Sequence, residues 1–202
     1  MRFFASILAL LLAAAPALAQ APRPPAEAQT PGQKSEAKPP EPKPSSLDEL
    51  FERLAKAKDE TEGKGVANLI ERRWARSGSD TADLLMSRAA QAVEAKEYPL
   101  AIELLDRVIV LEPNWTEAWY RRANVFFLLE DPVSAMADIR RVLDREPRHF
   151  GAWTGLGHMF MASDDKARAL ASYRRALAIH PQLQQVQTLV ERLAPEVDGR
   201  TL

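Results

Sequence analysis

The residue types that carry most protein chemistry are sparse in this chain and poorly placed for it. His149, His158 and His180 are its only histidines; no metal-ligand spacing relates them, and in helical surroundings a histidine is ordinarily a packing or surface residue. Asp164 and Asp165 stand just ahead of a helical stretch, where capping accounts for them. The arginine pairs Arg121-Arg122, Arg140-Arg141 and Arg174-Arg175 are interspersed with Asp106, Asp138 and Asp144, so ion pairing is expected, Arg122 with Asp138 in particular. Cysteine is absent, which removes disulfides, thiol nucleophiles and thiolate metal sites. No glycine-rich phosphate loop and no nucleophile elbow occurs. The chain is therefore predicted to have no catalytic residues, no metal ligands and no cofactor, and not to be an enzyme. Its 202 residues are 46% apolar and 27% charged, ordinary for a globular protein. A net charge of −1 without a long basic run predicts no nucleic-acid partner.

What the sequence offers instead is repetition. Pro113, Pro147 and Pro181 recur at a fixed step, as do Ala101, Ala135 and Ala169. On the same step Leu85, Trp119 and Trp153 share a column, Ala89, Ala123 and Gly157 another, and Ala92, Phe126 and Phe160 a third. A period of this length marks stacked helical hairpins, none of which buries its apolar face alone. Pro99 and Asp131-Pro132 mark the starts of second helices, because proline at the first helical position gives up only an amide that has no partner there. The small-residue columns fall where helices must cross closely, and the aromatic columns fill the spaces between them.

Ahead of the repeats, Arg2, an apolar run from Phe3 to Ala15 and the small residues Ala17 and Ala19 read as a secretory signal peptide, cut between Ala19 and Gln20. The alternative is an uncleaved anchor, for which the run is short against the ~20 residues of a membrane span. Residues 20–45 are rich in Pro, Ala, Glu and Lys with almost nothing large and apolar, and are expected to remain a disordered linker. A ligand for an aromatic groove is the second reading of that stretch. At Ser46 a capping box with Glu49 opens a helix expected to reach about Glu60. Thr61 to Gly65 should then turn the chain into a second helix carrying Val66, Leu69, Ile70 and Trp74, ended by Ser77 and Gly78. This pair, residues 46–79, reads as a degenerate capping hairpin of the same kind as the repeats, or else as an unrelated helical pair. After Pro181, Leu183, Val186, Leu189, Val190 and Leu193 form a closing helix that Pro195 should end.

The repeats resemble the tetratricopeptide family. In the third, Trp153, Leu156, Gly157, Phe160, Ala169, Tyr173, Ala176 and Pro181 reproduce that family's signature. The second copy departs modestly with Arg122, Ala123, Ile139 and Val142, and the first further, with Leu85, Arg88, Leu105 and Val108. The resemblance implies an all-α fold, a right-handed α-solenoid of antiparallel helix pairs with a C-terminal capping helix. The expected division is 1–19 signal peptide, 20–45 linker, 46–79 hairpin, 82–115, 116–149 and 150–183 repeats, 184–196 capping helix and 197–202 tail.

The family also implies a peptide-binding groove lined by the first helices. Carried over, its floor is Met86, Ala90 and Val93, then Tyr120, Asn124 and Phe127, then Thr154, His158 and Met161, one stripe per helix at spacings of three and four. One branch of the family clamps a terminal carboxylate with lysines and asparagines. Here only Asn124 matches, the lysine positions holding Asp83, Glu117, Tyr120 and Gly151, so no such clamp is expected. The expected function is that of an exported, periplasmic adaptor binding a peptide or helix of another envelope protein and meeting the membrane only through its signal peptide. The rival reading is a structural module that homodimerises through the same surface.

Overall fold

The computed structural model describes Ser46 to Gly199; the signal-peptide and linker readings, and the tail beyond Gly199, lie outside the described residues. Within them the chain forms α1 (Leu47–Ala55), α2 (Glu60–Trp74), α3 (Asp80–Glu94), α4 (Tyr98–Leu111), α5 (Thr116–Leu128), α6 (Pro132–Arg145), α7 (Phe150–Ala162), α8 (Lys166–Ile179) and α9 (Gln184–Asp198). The pairs α3–α4, α5–α6 and α7–α8 are the three repeats, and each second helix packs on the first helix of the next pair. This is an all-α solenoid. Among the described residues no helix is long and apolar enough to cross a membrane.

The sequence period reappears as conformation. The turn inside each repeat passes through Lys96, Glu130 and Asp164 at φ 62°, 58° and 55°, one left-handed residue each time. The next amide then reaches back five residues: Glu97 to the Ala92 carbonyl at 2.8 Å, Asp131 to Phe126 at 2.9 Å and Asp165 to Phe160 at 2.8 Å. Asp131 and Asp165 cap α6 and α8 by accepting from the Ser134 and Arg168 amides, as the capping reading required. Between repeats, the Trp119 and Trp153 indoles each donate to the carbonyl of the proline six residues earlier, at 2.9 Å. Gln187 does the same to Pro181 at 2.5 Å, so α9 takes the place of a first helix at the end of the described residues.

The small residues lie where the sequence put them. Ala89, Ala101, Ala123, Ala135 and Ala169 are buried, and a Cβ placed on Gly157 would lie 2.8 Å from Cζ of Tyr173. The Tyr173 ring is itself wholly buried and cannot swing aside. Arg122 ties three helices together. It donates to both carboxylate oxygens of Asp138 at 2.7 and 2.8 Å, reaches Asp106 on α4 at 2.6 Å, and lies over the Trp119 ring.

Three expectations are corrected. The first turn falls at Lys56–Asp59 rather than at Thr61–Gly65. Asp59 caps α2 by accepting from the Glu62 amide at 2.8 Å, and both glycines lie inside the helix. The closing helix does not stop at Pro195 but runs through it to Asp198, with Val197 packed on the last core cluster and Arg174 paired to Asp198 at 2.5 Å. The hairpin α1–α2 exists but does not stack on α3–α4 as a preceding repeat. Its core of Leu50, Phe51, Leu54, Val66, Ala67 and Ile70 closes instead on Phe150 at the start of α7, Ile179 at the end of α8 and Leu183 just ahead of α9.

The Gly157→Ala variant pits about 1 kcal/mol of helix propensity gained against about 1–3 kcal/mol of overpacking. With a rigid buried ring as the neighbour, overpacking wins, and chemical denaturation should show a net loss of about 1–2 kcal/mol.

Candidate functional site

The first helices α3, α5 and α7 present the residues at 86/120/154, 90/124/158 and 93/127/161 on one face, because positions three and four apart share a side of a helix. The structure divides this stripe into parts with different surroundings. Met86, Ala90 and Val93 of α3 and Asn124 and Leu128 of α5 line one trough of about 430 Å³. Its floor is apolar and its rim carries Asp83, Glu94 and Arg121. Ala75, just past α2, closes one end.

Tyr120 is not on that floor. Its ring lies 4.5 Å from the His149 ring, centroid to centroid, and its hydroxyl sits where a Cβ on residue 151 would meet it at 2.8 Å, so Gly151 makes room for it. Burial pushes the Tyr120 phenol up, a hydrogen bond with Asn124 pulling the other way. Phe127 is half-buried against the core between the second and third repeats, and Met161 packs on the cluster around Tyr173. Thr154 donates its hydroxyl to the Phe150 carbonyl at 2.9 Å. His158 pairs through Nδ1 with the Tyr173 hydroxyl at 2.9 Å, and burial lowers its pKa. The lysine positions of a carboxylate clamp are committed to internal partners. Asp83 accepts from the Ser77 hydroxyl at 2.6 Å, and Glu117 is paired with Arg121 at 2.6 Å.

A second cavity of about 280 Å³ joins Glu71 and Trp74 of α2 to Glu117, Tyr120, Arg121, Asn124, His149 and Gly151. Here the hairpin lies over the stripe. Trp74 stacks on His149 at 4.2 Å with the rings 7° apart, and the Trp115 indole donates to the Trp74 carbonyl at 2.6 Å. His149 caps α7, its Nδ1 accepting from the Ala152 amide at 3.0 Å, which leaves the proton on Nε2. That nitrogen has no hydrogen-bond partner, the Glu117 carboxylate standing off at 3.7 Å. Burial, then the Glu117 charge, push Glu71 above its ordinary value, while His149 and Arg121 act against them. At the other end His180 lies edge-on to Phe150 at 5.2 Å, and Gln182 donates its amide to the Ala57 carbonyl.

These hairpin contacts were missed from sequence, yet the period carried a trace of them. His149 stands in the column of Trp115 and Leu183, and His180 in the column of Glu112 and Glu146. Both departures lie under the hairpin. Energetically the interface is mixed: each fully buried large apolar side chain contributes about 1.5–3 kcal/mol, and each orphaned buried polar group costs about 1–3 kcal/mol. Among the described residues no group of three or more His, Asp or Glu is gathered as a metal would require.

Residues 120–183 match the family model described as the tetratricopeptide repeat. A TPR repeat-containing protein of Rhizobium etli is 40% identical over 93 residues, 46% of each chain, so this chain spans about half the length of that curated relative. The first TPR of Spaghetti (RPAP3), solved bound to the HSP90 peptide SRMEEVD, is similar at a TM-score of 0.55 and 18% identity, over 58% of this chain and 94% of its own. The structure of MamA is similar at 0.53 and 14% identity, over 73% and 79%. The chain is thus similar to tetratricopeptide-repeat proteins, in sequence across residues 120–183 and in fold over a wider span.

Tyr120→Ala should lower the free energy of unfolding by about 2–4 kcal/mol, because it opens a hole beside His149 and Gly151. Ala90→Ser, on the exposed trough, should stay within about 0.5 kcal/mol. Urea titrations of the two variants check the contrast.

Proposed function

We propose that this protein is a non-catalytic interaction adaptor of the cell envelope, taking apolar side chains of a partner's helix or extended segment into the trough between α3 and α5. The trough carries the reading: it is open, and apolar along Met86 and Val93, which rest on the core, and Ala90 and Leu128, which are exposed. Peptide binding by this fold is supported by the RPAP3 domain, which holds a peptide of HSP90. The partner's chemistry differs, however. With Asp83 and Glu94 on the rim and Arg121 already held by Glu117, a terminal carboxylate finds no free cation here, whereas a neutral or basic flank meets complementary charge. Two buried aliphatic anchors supply about 3–6 kcal/mol gross, much of it offset by ordering the peptide, so affinities in the micromolar range follow. The export signal read from residues 1–19 supports placing this activity in the envelope.

Selecting a peptide library on the full chain should enrich apolar-anchored sequences with neutral or basic flanks. Ala90→Arg, which fills the trough, should weaken their binding by about tenfold or more, equivalent to about 1.4 kcal/mol, and leave the melting temperature unchanged. Selected peptides that bind the variant equally well refute the trough as the site, and selection of nothing but a second copy of the chain favours the homodimer.

A further inference from the structure

We propose that the α1–α2 hairpin is a displaceable cover over the first-helix face of the second and third repeats, released when acid conditions place a proton on His180. The inference concerns the cover and not the ligand, so it does not rest on the trough reading.

The hairpin is able to leave as a unit. Leu50, Phe51 and Leu54 of α1 pack on Val66, Ala67 and Ile70 of α2, so most of its core is internal, and it stands outside the repeat-on-repeat packing that holds the solenoid. Its core also meets Phe150, Ile179 and Leu183, and its other attachments are Trp74 on His149, the Trp115 indole on the Trp74 carbonyl, Arg148 with Asp48 at 2.7 Å and over the Phe51 ring, Gln182 to the Ala57 carbonyl, and the close passage of Gly63 over Gln182 and His180. Where it lies over α5 and α7 it covers Tyr120 and Gly151, the continuation of the open trough.

His180 sits under this contact at 3% exposure, and neither ring nitrogen has a hydrogen-bond partner. The neutral ring tolerates such a place, stacked edge-on against Phe150. The protonated ring has two donors and a charge, and none of the surrounding charges is positioned to receive them. From α1, Asp48 is taken by Arg148; from α2, Glu60 pairs with Lys64 and Glu62 accepts from the Lys58 amide. Before α7, Arg148 holds Glu146, and at the start of α9 the Gln182 amide is spent on Ala57. Burial accordingly lowers the His180 pKa.

The sign follows from linkage. A histidine whose docked pKa lies below its free value stabilises docking above about pH 6.5, and that stability is lost as the pH falls through the docked value. Glu71 opposes this: its raised pKa makes it take up a proton more readily when docked, which favours docking as the pH falls. At the other ring, Nδ1 of His149 caps α7 and the Glu117 carboxylate stands 3.7 Å from Nε2.

Hydrogen exchange on the full chain, corrected for intrinsic rates and taken from about pH 7.5 to about pH 5.5, reads the cover directly. Protection of α1–α2 should fall relative to α5–α6 by up to about tenfold per pH unit, the slope of one proton taken up. His180→Leu should flatten that slope. A disulfide between Gly63→Cys and Gln182→Cys, in a chain with no other cysteine, should abolish the slope when oxidised; a Cβ on residue 63 lies 2.9 Å from the Gln182 Cβ, so a small outward shift forms the bond. The proposal is overturned if the hairpin and repeats keep one ratio of protection at every pH, or if the slope survives in either His180→Leu or the oxidised pair.

Discussion

How closely two antiparallel helices approach decides the form of this molecule. At Ala89, Ala123 and Gly157, with Ala101, Ala135 and Ala169, each repeat keeps only small buried side chains where its two helices cross, and in the third repeat the Tyr173 ring lies against Gly157. The close contact fixes the rotation of each first helix about its axis. That rotation turns the small and aromatic columns inward, and the stripe at 86, 120 and 154 onto the adjoining face, where Met86 and Tyr120 still touch the core. The candidate binding face is therefore a consequence of the core: the stripe is placed once per repeat, and it stays open between α3 and α5, while Phe127, Met161 and His158 are taken up by internal contacts.

A stack of such units has two ends, and they are treated differently. At the C-terminal end α9 supplies half a repeat: Gln187 takes the place of Trp119 and Trp153, and Val186 is buried in the column of Ala118 and Ala152. At the N-terminal end the same column holds Leu84, which is 55% exposed. Stacking the hairpin there in register would bring Arg72 to the column of Asp106, the residue that receives Arg122 from the following repeat. Its counterpart on α3 is Arg88, so the contact would oppose two cations where the interior places an ion pair. The hairpin lies instead against α7 and α8.

The sequence resolved what repeats and little of what does not. The helix pairs, the start of α6 at Pro132 and the capping by Asp165 were legible because each is either local or copied at a fixed step, and the pairing of Arg122 with Asp138 because both lie within one hairpin. The hairpin's place was not, because it depends on contacts such as Arg148 with Asp48, a hundred positions apart, which no local pattern records. Gly63 misled for the same reason. Inside a helix it looks like a turn, and only the passage of Gln182 and His180 above it explains why a side chain is excluded. On the candidate face, spacing identified the stripe, but it could not distinguish Ala90, open to solvent, from Tyr120, which the hairpin and Gly151 enclose.

The polarity of the hairpin contact bears on what such an element is for. A pair of helices meant only to stabilise the solenoid would gain most by presenting an unbroken apolar surface, as α9 does with Val186, Leu189, Val190 and Leu193. The hairpin instead sets beside its apolar contacts with Phe150, Ile179 and Leu183 two histidines with unpartnered nitrogens and a glutamine whose carbonyl oxygen is buried unpaired. Each of these weakens the contact relative to a hydrocarbon of the same shape, and each fits only one placement of the hairpin. An interface built this way trades strength for a defined position. At His180 one added proton changes the balance, and a Cβ added at Gly63 would press on Gln182 and His180.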